Sequence, residues 1–164
     1  TATEKDVKYL IYAKKKGKYG YCGMTSSTSY TDTKALSDEF GFYWVYPYKT
    51  DETGKNIVGS CTKYVYARGV CVAVTDLKAS SIKGGVKLSW TKSAGAEGYL
   101  IYGMEAKGKY GYIGMTKTNT NTYTHKKASK NVYNFYWVFP YHRDAKGKIV
   151  VGKISSHYVY GKAK

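Results

Sequence analysis

Apolar and polar residues alternate with a period of two along most of the chain, the pattern of strands with one buried face. In the second half, alternation and β-branched or aromatic content predict strands at 74–80, 86–91, 98–103, 110–115, 120–124 and 133–141, with a long one at 149–160. Turn formers separate them: Lys83-Gly84-Gly85, Ala94-Gly95-Ala96, Lys107-Gly108-Lys109 and Asp144-Ala145-Lys146-Gly147. Helical periodicity is missing, and 33–39 and 125–131 are expected as loops. Short strands at this spacing predict an antiparallel β-sandwich.

The pattern occurs twice. YLIYAKKKGKYGYCGM (9–24) answers YLIYGMEAKGKYGYIGM (99–115), FYWVYPY (42–48) answers FYWVFPY (135–141), and YVYA (64–67) answers YVYG (158–161). The offset drifts from 90 (Tyr9 to Tyr99) through 93 (Trp44 to Trp137) to 94 (Tyr66 to Tyr160), as duplication of a whole domain with small loop insertions produces. Two domains are therefore expected, at 1–69 and 70–164. Residues 1–8 align with 91–98, the loop before the third strand. The first domain is thus expected to run from its third strand onward, with a core that faces water unless upstream sequence or another chain supplies two strands.

These residues resemble the fibronectin type III domains carried in tandem by surface proteins of Gram-positive bacteria. The resemblance rests on VTDLKAS (74–80), VKLSW (86–90), AEGYLIY (96–102), GKYGYIGMT (108–116), FYWVFPY and the closing YVYG, with Trp90 where the family keeps a core tryptophan. It implies an all-β fold of two tandem seven-strand-type antiparallel sandwiches, the first without its first two strands. It also implies a non-catalytic, extracellular role, on a bacterial cell surface or secreted.

Composition narrows the partners. Of the 164 residues, 27 are Lys or Arg and 11 Asp or Glu, a formal charge of +16. An anionic partner such as a cell-wall polymer is compatible with that balance, as is a plain solvated lysine surface guarding sheet edges. Arg68 and Arg143 are the only arginines, which argues against a nucleic-acid binder, since bidentate phosphate and base contacts favour arginine. No apolar run approaches membrane-spanning length. No leader is read, and a chain that opens inside a repeat says nothing about secretion by that.

Candidate chemistry is sparse. Cys22, Cys61 and Cys71 form an odd set, and the second copy has Ile113 and Ile154 in place of the first two, so free thiols acting as small hydrophobes are expected. His125, His142 and His157 have no counterpart in the first copy and no metal-ligand spacing; neither metal nor cofactor is expected. Asp51 and Asp144 recur as turn formers, with Glu52 beside the first. No nucleophile–base arrangement stands out.

The aromatic residues carry the functional expectation. The resemblance puts Tyr43, Val45 and Pro47, and Tyr136, Val138 and Pro140, inward. Period-two geometry then turns Trp44 and Tyr46, and Trp137 and Phe139, to solvent. On the neighbouring strand Tyr99 and Ile101 face inward, leaving Leu10 and Tyr12, and Leu100 and Tyr102, outward, with Tyr21 and Tyr112 as further candidates. Such a face covers on the order of several hundred square ångströms, the range where an apolar patch implies a partner. A one-residue slip would bury the tryptophans instead, and a strand proline invites a bulge. The expected function is protein binding through this face, with a host glycoprotein or immunoglobulin as the type of partner. A spacer and a carbohydrate or cell-wall-polymer binder are the alternatives.

Overall fold

The computed structural model describes residues 7–105 and 107–164, which form two compact units dividing between Gly69 and Val70. Unit 1 contains β1 (Lys8–Lys15), β2 (Lys18–Thr25), β3 (Gly41–Thr50), β4 (Asn56–Val58) and β5 (Val65–Ala67). All five lie in one antiparallel sheet of order β2-β1-β3-β4, with β5 also on β3. Unit 2 contains β6 (Thr75–Ile82), β7 (Gly85–Thr91), β8 (Gly98–Glu105), β9 (Gly111–Thr116), β10 (Thr122–His125), β11 (Asn134–Arg143), β12 (Ile149–Val151) and β13 (Val159–Gly161). These make two sheets, β10-β7-β6 and β12-β11-β8-β9, with β13 on β11.

The core of unit 2 lies between its sheets. Leu77, Val86, Leu88 and Trp90 from one sheet meet Tyr99, Ile101, Tyr136 and Val138 from the other. Strand alternation produces this directly: β11 reads buried at Tyr136, Val138 and Pro140 and half-exposed at Phe135, Trp137 and Phe139. Gly98 is required by packing, because a Cβ there would collide with the Thr116 carbonyl and, at 2.6 Å, with the Tyr141 hydroxyl.

In unit 1 the residues repeating this inner face are less covered. Ile11 and Ala13 are buried, while Tyr9, Tyr43, Val45 and Pro47 are only half-buried. The loop after β2 lies across part of them: Tyr30 donates to the Cys22 carbonyl at 2.9 Å, and Tyr43 donates to Asp32 at 2.8 Å. The core expected to face water is thus partly shielded by its own loop.

Two strand expectations need correction. The long strand at 149–160 is split into β12 and β13, and so is its counterpart in unit 1, into β4 and β5. The strand proline is the cause. Pro140 has no N–H to offer on that side; its carbonyl accepts from Gly152 at 2.7 Å, and Lys153 turns away to bond the Cys71 carbonyl at 2.9 Å. Pro47 and Gly59 repeat this at 2.8 Å. Conversely, no bulge interrupts β11 against β8, whose register runs unbroken from Asn134↔Glu105 to Tyr141↔Gly98.

A bulge sits elsewhere. Register shifts between Ile101 and Tyr102 opposite β9, and between Ile11 and Tyr12 opposite β2. The extra residues, Ile113 and Cys22, turn inward, and Ile113 packs on the core. Beyond the bulge Met115 faces Leu100, so Tyr112 and Met115 share one side of the sheet despite odd spacing. The other replacement pair does not fit the core-isoleucine expectation: Ile154 is 44% exposed and Cys61 is exposed too.

No disulfide joins the cysteines among the described residues: Cys61 is exposed, Cys22 half-buried and Cys71 buried. Iodoacetamide on the native chain is therefore expected to label Cys61 first and Cys71 only after unfolding, read by mass spectrometry of the peptides. Labelling of native Cys71 at the rate of Cys61 would contradict this burial.

Candidate functional site

In both units the outward face of the β1/β3 or β8/β11 sheet is tiled with aromatic rings. Antiparallel pairing puts Trp137 directly across from Tyr102, and Tyr102 across from Tyr112. Cross-strand neighbours this close interact side chain to side chain. Tyr102 stacks on Tyr110 (5.4 Å, 14°) and meets Tyr112 and Phe139 edge-on at 5.7 and 5.3 Å. Tyr110 continues to Trp137 at 5.2 Å, Trp137 to Tyr158 at 5.5 Å, and Tyr158 to Phe135 at 5.5 Å. Phe135 then reaches Tyr160, which touches Tyr133 at 5.2 Å.

Unit 1 repeats the run ring for ring. Tyr12 stacks on Tyr19 (5.5 Å, 12°) and meets Tyr21 and Tyr46 at 5.7 and 5.5 Å. Tyr19 continues to Trp44 at 5.3 Å, Trp44 to Tyr64 at 5.8 Å, and Tyr64 to Phe42 at 5.5 Å. Tyr66 closes the run against Phe42 and Phe40. The Tyr19 and Tyr46 hydroxyls are hydrogen-bonded at 3.1 Å, which with the nearby Cys61 raises the Tyr46 phenol above its ordinary range.

The structure thus places Tyr12, Trp44 and Tyr46, and Tyr102, Trp137 and Phe139, together on these faces. Leu10 and Leu100 extend them, opposite Met24 and Met115 respectively. Each of the predicted residues is half-exposed, because its neighbours cover its edges. Sequence reasoning named Tyr21 and Tyr112 and missed the rest: Tyr19/Tyr110, Phe40/Tyr133, Phe42/Phe135, Tyr64/Tyr158 and Tyr66/Tyr160. These outer tyrosines are the more open rings, with Tyr112 55%, Tyr158 51% and Tyr160 56% exposed. Their recurrence at matching positions in both copies was the available signal.

Lysines border the rings. Lys14 lines a groove of about 260 Å³ with Glu39, Phe42, Trp44 and Tyr64, and the Lys162 ammonium lies 4.2 Å from the Tyr133 ring centre. Iodide quenching of single-tryptophan variants (the other two indoles changed to Phe) is expected to reach Trp44 and Trp137 and spare Trp90, which is 3% exposed. Equal shielding of all three would remove the open face.

The histidines are scattered. His142 is buried with Nδ1 3.4 Å from Cys71 Sγ, and exposed His157 contacts Ser156. His125 Nδ1 lies 3.1 Å from the Tyr136 hydroxyl. It does have a positional counterpart: Asp32, which takes the equivalent Tyr43 hydroxyl and pairs with Lys15 at 2.5 Å. Among the described residues no three His, Cys, Asp or Glu side chains gather as a metal site. Asp51 and Asp144 each accept two backbone N–H bonds at 2.9 Å in turns completed by Gly54 and Gly147 at positive φ.

Burial pushes the His125 imidazole below its ordinary value of 6.5, with Glu105 pulling the other way. The unfolded chain then binds the proton more readily than the folded unit, so this group's contribution falls as pH drops through about 6.5. Thermal melts from pH 7.5 to 5 are expected to fall less steeply for His125→Gln than for the unchanged chain. Identical slopes would contradict the assignment.

No family model matches the sequence, and no curated protein matches it. Solved structures do. The chicken CNTN1 FN1–FN3 domains and titin domains A168–A170 each superpose with a TM-score of 0.50 at 14% identity, over 97% and 98% of this chain. The chain spans 56% of the length of each. A segment of two fibronectin type III domains from chicken tenascin matches 98% of this chain and 85% of its own length, at 15% identity and TM-score 0.49. The fold is therefore all-β, with antiparallel sheets matching tandem fibronectin type III domains.

Proposed function

We propose that this chain is a non-catalytic binding module of a bacterial cell-surface or secreted protein, docking through its aromatic sheet faces onto a partner protein of the host glycoprotein or immunoglobulin type. The observation that carries this reading is the duplicated run of rings. Nothing in sandwich folding demands aromatics on the outward face, yet each unit has them at the same positions and spacings. Tyr and Trp give large contact area for few rotatable bonds, and a lysine border supplies a polar rim. Two faces in one chain raise avidity wherever a partner's epitopes can be spanned.

The rings' packing against one another favours a second reading. Each tryptophan of the two faces is flanked by two tyrosines, Trp44 by Tyr19 and Tyr64 and Trp137 by Tyr110 and Tyr158, and cross-strand aromatic pairs also stiffen a sheet. A spacer would use them only for that. Carbohydrate or anionic polymer binding is the third reading. Immobilised chain titrated with serum proteins in low and high salt separates the three. Docking on the rings gives saturable protein binding that persists in salt and is lost on substituting Trp44 and Trp137. Lysine-driven polymer binding collapses with salt, and a spacer retains nothing saturably.

A further inference from the structure

A cluster of ionisable side chains in unit 1 lies on the side of the sheet away from the aromatic rings. Cys22 is the bulge residue of β2, and the Lys15 ammonium at the end of β1 lies 3.7 Å from its Sγ. An ion pair with Asp32 at 2.5 Å holds Lys15 there. Asp32 is fixed in turn by the Tyr43 hydroxyl at 2.8 Å and the Lys34 N–H at 3.0 Å. The Tyr30 hydroxyl is the second neighbour of the sulfur, at 3.9 Å. It donates to the Cys22 carbonyl at 2.9 Å, which leaves its lone pairs to accept the thiol proton.

Unit 2 has none of this chemistry at the matching positions. Glu105 stands for Lys15, Ile113 for Cys22 and His125 for Asp32. Ile113 packs on the core, and Glu105 accepts from the Ser129 hydroxyl. A cation, a thiol and an acid in one copy thus face an acid, an alkyl group and an imidazole in the other. In unit 2, where two sheets enclose the core, Glu105 is exposed and Ile113, Tyr123 and His125 are half-buried. These positions therefore stay within reach of small solutes in a two-sheeted sandwich.

We propose that Cys22 is a peroxide-reactive site, oxidised reversibly to a sulfenate that Lys15 retains as an ion pair. The thiol proton passes by way of the Tyr30 hydroxyl to solvent, and the sulfur attacks the near oxygen of hydrogen peroxide. The S–O bond forms as the O–O bond breaks, the sulfur losing two electrons to the peroxide. The leaving hydroxide takes a proton from the Lys15 ammonium and departs as water. Lys15 regains its proton from solvent, and the sulfenic acid releases its own. The resulting sulfenate then faces the ammonium, an attraction worth more near a protein surface than in bulk water. Alkylation by iodoacetamide gains nothing comparable, because departing iodide needs no proton. Cys61 does not resolve the product into a disulfide within the unit, since it lies beside Tyr46 on the aromatic side of the sheet. The sulfenate therefore persists until an external thiol reduces it. This site does not depend on docking through the rings.

The test treats the native chain with hydrogen peroxide in the presence of dimedone, which traps sulfenic acids, and maps the adducts by mass spectrometry. Cys22 is expected to be trapped about tenfold faster than the more exposed Cys61, the reverse of the order expected with iodoacetamide. Lys15→Met should remove that preference, with circular dichroism checking the fold. The comparison of Cys22 with Cys61 in the unchanged chain needs no variant and decides the matter even if Lys15→Met does not fold. Trapping of Cys22 no faster than Cys61, or an unaltered preference in folded Lys15→Met, would overturn the inference.

Discussion

Replacing Trp44 and Trp137 together by alanine is expected to weaken partner binding about a thousandfold, with each single change giving roughly thirtyfold. An interface anchor costs about 2 kcal/mol or more on truncation, and about 1.4 kcal/mol corresponds to each tenfold in affinity. Each indole lies mid-run, Trp137 between Tyr110 and Tyr158 and Trp44 between Tyr19 and Tyr64. Its loss removes contact area and also loosens the rings on either side. The fold should survive, because both indoles lie on the side of the sheet away from the core and a lost aromatic pair costs only about 0.5–1.5 kcal/mol. Titration calorimetry against the retained protein, with circular dichroism as the fold check, gives the answer. Affinity unchanged in a folded double variant would exclude the tryptophans as anchors.

Tyr99→Ala is expected to destabilise unit 2 by about 3–5 kcal/mol, in the range for large aromatic truncations in a core. Tyr99 is fully buried, packs on Trp90 at 5.0 Å, donates its hydroxyl to Asn119 at 2.7 Å and accepts from the Ser93 N–H at 3.0 Å. Against a typical total of about 5–15 kcal/mol, that loss brings the unit near unfolding. The equivalent Tyr9→Ala in unit 1 should cost less than half as much, because Tyr9 is only half-buried beside an open groove. Urea unfolding followed by amide exchange in each unit measures both. Equal costs would mean that the inner face of unit 1 is as closed as that of unit 2.

Much of this architecture was legible in the sequence because strand alternation encodes it locally. Tyr136, Val138 and Pro140 alternate with Trp137 and Phe139, and once one residue is assigned to the core the others follow. What escaped depended on neighbours that alternation does not name. The bulge at Tyr102 shifts β9 by one residue, so Met115 joins Tyr112 on the outer side where simple parity would separate them. The split of the last strand follows from which neighbour meets the missing N–H of Pro140, a question of sheet order. The continuity of the rings was hidden for the same reason. Tyr110, Trp137 and Tyr158 are distant in sequence, and only the β9-β8-β11 order with β13 on β11 brings them together. Asp32 and His125 escaped because their shared role lies in a tyrosine hydroxyl, while their side-chain types differ.

Tyrosine footprinting of the chain with and without the protein it retains saturably from serum is the most direct measurement of docking through the rings. Nitration followed by peptide mapping should find Tyr112, Tyr158 and Tyr160, with Tyr21, Tyr64 and Tyr66, protected in the complex, since each is open in the free chain. Protection confined to other surfaces, with these six still reactive at saturation, would contradict docking through the aromatic faces.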